Sequence, residues 1–210
     1  MEKTYHSYVQ SLSSRWRRLE HLNSFMNENS TRRFHQPRIA VLDFDDHNGL
    51  EPRVINLPGL SAILDQSSTF KGGRLFLVED LSNEVVELLG SRLDIEPEFF
   101  ASHIYSLDWF SRASSPTTVP NIYSTICAQS FVRFRYLEAR SVLVKANQEI
   151  NIDRLPCTNS NLLRKVSIMK LESTNGMVGL ERRHVTIWVK PGANTSNWTG
   201  EFSFISGTYL

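Results

Sequence analysis

The stretch from Arg74 to Phe110, RLFLVEDLSNEVVELLGSRLDIEPEFFASHIYSLDWF, decides how this chain folds. It opens with a short apolar run, Leu75-Phe76-Leu77-Val78, set between Gly73 and the acidic pair Glu79-Asp80. An apolar run of that length bounded by turn residues predicts a buried strand. Asp80 or Ser82 follows as a helix cap, accepting a bond from an unsatisfied backbone N–H. Val85, Val86, Leu89 and Leu93 then recur at helical spacing and predict one apolar face. Pro97 is placed to start a second helix, because the first turn does not need the N–H that proline lacks. Phe99, Phe100, Ile104 and Trp109 give that second element a heavy apolar load. Strand, helix, helix in so short a stretch is a compact unit able to seed an α/β core.

Upstream, residues 3–27 predict one amphipathic helix. Tyr8, Leu12, Trp16, Leu19, Leu22 and Phe25 recur at threes and fours, while Arg15, Arg17, Arg18 and Glu20 fall mostly off that stripe. A loop follows, then a strand over Arg38–Phe44, a turn at Asp45-Asp46-His47-Asn48-Gly49, and a hairpin partner over 53–57. Pro58-Gly59 is expected to end that partner and a short helix to run from Leu60 to Asp65. Downstream, SRASSPTTVP reads as an exposed connection. Phe131 to Val144 alternates, with Phe131, Arg133, Arg135 and Leu137 on one side and Val132, Phe134, Tyr136 and Glu138 on the other, as a long strand should. The segment 145–162 reads as a loop, and short strands are expected over 165–171, 184–189 and 201–205. Asn175-Gly176 and Pro191-Gly192 mark turns.

Strands outnumber helices and do not alternate strictly with them. The expected fold is therefore a mixed α/β (α+β) domain. A central mixed, largely antiparallel sheet carries helices packed on it and is preceded by an N-terminal helix. The organisation is one domain over 1–210, with the N-terminal helix in 1–28, strands and the helical pair in 36–110, and mainly strands in 130–206.

The 210 residues suffice for a substantial core without staples. The 22 acidic and 23 basic side chains nearly cancel, giving a net charge of +1 that argues against a nucleic-acid or anionic-membrane binder. Two cysteines, Cys127 and Cys157, are too few for a disulfide framework and fit reduced thiols in a cytosolic protein. The N-terminus is charged throughout, unlike a secretory leader, and no window approaches the ~20 apolar residues of a membrane span. The expectation is a soluble, cytoplasmic chain.

The sharpest chemical candidate is Asp43-Phe44-Asp45-Asp46 at the end of an apolar strand. Carboxylates two apart at such a strand end are how dehalogenase-like phosphatases hold Mg²⁺ and present a nucleophile, which makes Asp43 and Asp45 the residues of a metal-dependent hydrolase. No later acidic pair with a glycine-rich loop completes that constellation. The plainer metal reading is a Mg²⁺ ion held through oxygen by Asp43, Asp45 and Asp46. The six histidines are scattered, with no i, i+4 pair and no zinc spacing. Cys127 has no base beside it in sequence, and Lys71-Gly72-Gly73 is too short for a phosphate loop. Phe131-Val132-Arg133-Phe134-Arg135-Tyr136 interleaves aromatics and arginines as some RNA-binding sheets do, but lacks their glycines and reads as an amphipathic strand.

The order of segments supplies more. RLFLVEDLSNEVVELLGSRLDIEPEFFASHI, then SFVRFRYLEAR, then RRHVTIWV and a tryptophan-containing turn into a last strand, resembles the soluble N-terminal part of fungal CorA-like magnesium transporter proteins. The likeness runs from about Tyr5 to Ile205 and is most specific over Leu75–His103. It implies a cytoplasmic, mixed α/β sandwich that is normally followed by a stalk helix and two membrane helices with a Gly-Met-Asn signature. Gly176-Met177-Val178 does not substitute for that signature. The resemblance therefore implies a non-catalytic regulatory or assembly domain without the pore, acting through a protein partner or weak self-association. A remnant, a fragment or a short gene model all fit a chain that ends at Leu210. Family transporters form pentamers through their membrane helices, so a monomer or weak oligomer is expected here.

Overall fold

The computed structural model describes residues 4–27, 36–44, 51–66, 72–104, 130–142, 166–170, 177–191 and 198–204. The expected connections SRASSPTTVP and 145–162, both cysteines, Trp109 and the turns at 45–49 and 175–176 lie outside them.

The unit read from Arg74 onward forms as expected. Strand β3 (Gly73–Glu79) leads through Asp80, whose φ of 64° turns the chain, to Ser82. Ser82, rather than Asp80, is the cap: its hydroxyl accepts the Val85 N–H at 3.4 Å and opens helix α4 (Asn83–Leu93). Asp94 closes α4 in the left-handed conformation, with φ 58°, and the Ile95 N–H reaches back to Gly90 O at 3.3 Å. Pro97 then begins helix α5 (Pro97–Ile104). Val85, Val86, Leu89, Leu93, Phe99 and Phe100 are all buried.

The N-terminal stretch differs from the single helix that its periodicity predicts. It is α1 (Tyr5–Ser13), a 3₁₀ turn (Arg17–Leu19) and α2 (Glu20–Asn27). Serines cause the break. The hydroxyls of Ser11, Ser13 and Ser14 donate to the carbonyls of Tyr8, Gln10 and Ser11, competing with the helix where propensity is already weak. The break re-phases the apolar stripe. Tyr5 and Val9 are buried in α1, whereas Trp16 is 59% exposed and Tyr8 is also largely outside the core.

Strand β1 (Arg38–Phe44) pairs antiparallel with β2 (Arg53–Ile55) and with β3. Pro58 does not end a strand but starts helix α3 (Leu57–Asp65), whose cap is Asn56, accepting the Gly59 N–H at 2.9 Å. Strand β4 (Phe131–Val142) pairs antiparallel with β6 (Met177–Pro191), which also takes β5 (Val166–Lys170) and β7 (Trp198–Phe204). β6 is far longer than the 184–189 read from its apolar residues. The charged run Glu181-Arg182-Arg183 hides the rest, but backbone pairing to β4 on one side and β5 on the other sustains it whatever the side chains are.

The sheet order is β2-β1-β3-β7-β6-β4, with β5 beside the upper end of β6. Only β3 and β7 are parallel neighbours, so the sheet is mixed and largely antiparallel, with an N-terminal helix ahead of it. Register places Ile39 beside Val78, Val41 beside Phe76, and Phe131 beside Trp188, all on one face. That face and the helices form the core, with Leu22, Leu60, Leu81 and Leu89 packed over it. Ring contacts knit the layers: Phe99 meets Phe100 at 5.0 Å and Phe131 at 5.7 Å, and Phe100 meets Tyr5 at 6.0 Å, all near edge-to-face. No helix among the described residues is long and apolar enough to cross a membrane.

Candidate functional site

Asp43 stands next to last in β1, and the register sets it opposite Arg74 of β3. The Arg74 Nε donates to Asp43 Oδ1 at 2.6 Å, and Arg53 of β2, a diagonal neighbour, donates to Oδ2. Arg74 is only 8% exposed, so its guanidinium depends on this carboxylate. Both Asp43 oxygens accept from guanidiniums, and two cations flank the site. Such an aspartate is poorly placed either to attack an electrophile or to hold a divalent ion, because Mg²⁺ and arginine compete for the same lone pairs and repel each other. Asp45 and Asp46, the other two candidate ligands, lie outside the described residues. Among the described residues, no three His, Cys, Asp or Glu side chains gather where they would hold a metal.

His103 of α5 is buried, its Nδ1 2.7 Å from Thr186 Oγ1 of β6, a core tie between helix and sheet. Glu87 of α4 reaches the start of α1, where its two oxygens accept the backbone N–H groups of Tyr5 and His6 at 2.7 and 2.8 Å. A carboxylate there satisfies orphan donors and complements the helix dipole. Sequence spacing has no means of finding this bond, since donor and acceptor are far apart along the chain. The basic cluster read near the N-terminus also makes structural contacts: Arg18 lies 3.9 Å from Glu98, and Arg17 lies 4.0 Å from Glu20.

Glu98 is the one described group whose titration clearly departs from normal. Burial raises its pKa above the ordinary 4.5, with Glu96 adding to the rise and the Arg18 and Arg133 charges opposing it. A raised carboxyl binds its proton more readily in the folded chain than in the unfolded one. Stability should therefore fall as pH climbs from the ordinary carboxylate value through the raised one, and then level off. Glu98→Gln should remove that slope and be at least as stable as the parent at neutral pH. Urea unfolding at several values between about pH 4 and pH 7 tests this, and an unchanged slope in the variant would assign it to other groups.

The sheet edges differ sharply. β2, at one end, has only three residues, and Arg53 on it is bound to Asp43. β4, at the other end, runs twelve residues in unbroken register with β6 and, among the described residues, is paired on that side only. It has no proline, lysine or bulge to blunt it. Its alternation is as the sequence predicts: Phe131 is buried, and Arg133 is turned under α5, where it donates to Ser102 O at 2.6 Å. The opposite side is apolar and open, with Val132 and Phe134 each 55% exposed. Leu137, on the Phe131 side but farther along, is exposed as well. The sequence contained this strand but not its place at an edge, which depends on where β6 and β7 pair.

In comparisons with known proteins, no family model, no curated protein and no solved structure matches the chain.

Proposed function

We propose that this chain is a non-catalytic assembly domain that acts by strand pairing along β4, in the way the resemblance to the cytoplasmic part of CorA-like Mg²⁺ transporters implies. The supporting observation is the long, unblunted outer strand beside a short, ion-paired one. A row of backbone N–H and C=O groups of that length is a template for a further strand. A second copy presenting the same strand antiparallel meets the requirement with two-fold symmetry. The described residues gather no metal-ligand cluster, so the proposal leans on protein contacts rather than on Mg²⁺ held by Asp43, Asp45 and Asp46. The ion pairs of Asp43 likewise weigh against a phosphatase-like hydrolase using Asp43 and Asp45.

Sedimentation over a range of concentrations tests this. The average mass should rise from one chain toward two, and Leu137→Lys, a charge on the exposed edge, should keep the chain single without lowering its melting temperature. A wild-type chain that stays single throughout, or a Leu137→Lys variant that associates equally well, would remove β4 as the contact.

A further inference from the structure

The face of the sheet away from the helices is apolar across several strands. Leu42, Leu75, Leu77, Ile187, Val132 and Phe134 lie on it, and none belongs to the helix-covered core. The register continues this face through β7, where Phe202 is paired between Leu77 and Ile187. An apolar surface this extended marks a site that something covers.

The strand connections say what covers it. β2 and β3 are parallel to each other across β1, and α3 joins them on the helix side. β3 and β4 are also parallel, and α4 and α5 lie between them in sequence on that same side. Both connections carry the chain across the sheet in one direction, from the β2 edge toward the β4 edge. The next connection reverses. Residues 177–181 of β6 pair with both β4 and β5, so those two strands flank β6, and each is antiparallel to it. β4 and β5 are thus parallel, and residues 143–165 carry the chain from one side of β6 back to the other. Parallel crossovers are right-handed in about 98% of cases. A crossover that keeps its hand while reversing direction must change face.

We propose that residues 143–165 cross over the apolar face opposite the helices and cover it with Leu143, Val144, Ile150, Ile152 and Leu155. The segment exceeds the dozen or so residues that a parallel crossover needs. It begins beside the uncovered strand β4 and ends at β5, so both of its ends are fixed at this part of the sheet. The fold then has three layers: helices, sheet and this crossover. The inference concerns the face of the sheet and is independent of pairing along the β4 edge.

Cys157, inside the segment, provides the test. With Cys127 changed to serine and a nitroxide on Cys157, methyl NMR signals of Val132, Val185 and Ile187 should be lost, while those of Val9, Leu22 and Leu60 beneath the helices persist. The reduced label gives the reference spectrum. A second nitroxide site, Ile150→Cys with both natural cysteines changed to serine, should give the same pattern and guards against local damage by the first. Loss on the helix side with the open face unaffected, or loss on neither side, overturns the proposal. So does broadening that persists when nitroxide-bearing chains are mixed with separate isotope-labelled ones, since the occupant would then be a second copy.

Discussion

Asp43→Asn should lower the unfolding free energy by about 3 kcal/mol, the lower end of the range for breaking a buried ion pair. The lower end applies because Arg53 keeps one side of the cluster in water: its side chain is 57% exposed. The larger effect comes from Arg74, which is buried and whose Nε is held by Asp43. Asparagine preserves the shape but removes the charge, leaving a guanidinium out of water without its counter-ion. Arg74→Met in the Asp43→Asn background should restore part of the loss, since the apolar side chain needs no partner. Chemical denaturation of the two variants measures both effects. A loss below about 1 kcal/mol would mean that the cluster behaves like an ordinary surface pair. Millimolar Mg²⁺ should shift neither the parent melt nor that of the variant. A Mg²⁺-dependent rise in the parent that disappears in Asp43→Asn would instead place a cation site at Asp43 and revive the aspartate cluster read from sequence.

Gly90→Ala should also destabilise, by about 1–3 kcal/mol, as overpacking of a filled core does. The sign is informative, because alanine in a helix interior ordinarily gains about 1 kcal/mol over glycine. Here a Cβ on Gly90 would lie 2.5 Å from two atoms of the Tyr5 ring. Tyr5 has little room to yield. It is buried, its hydroxyl donates to Ile95 O at 2.8 Å, and its backbone N–H is held by Glu87. Gly90 therefore sets how closely α1 approaches α4. A double-mutant cycle with Tyr5→Leu should show coupling, the alanine costing less once the ring is smaller. Equal cost in both backgrounds would place the strain elsewhere.

The fold was more legible than the site, for a physical reason that particular residues illustrate. Leu75-Phe76-Leu77-Val78, the Ser82 cap, the 85–93 stripe and Pro97 all act within a few residues of themselves, so their pattern fixes the local structure. The N-terminal helix was misread because spacing alone does not register how Ser11, Ser13 and Ser14 compete for backbone carbonyls. Pro58 was read as a stop when the preceding Asn56 cap makes it a start. Asp43 looked like a ligand because its partners, Arg53 and Arg74, lie on other strands. Nothing near it in sequence announces that its charge is already balanced.

The amino-acid sequence by itself determined the element types, the mixed sheet with helices on it, and the apolar residues that reach the core, since each follows from short-range periodicity and capping. Tertiary structure alone decided that Glu87 caps α1, that Gly90 accommodates Tyr5, that Asp43 is held by two arginines, and that β4 lies at an edge beside an apolar face. Those outcomes depend on strand order and register, which join residues far apart in the chain, and local periodicity carries no record of that pairing.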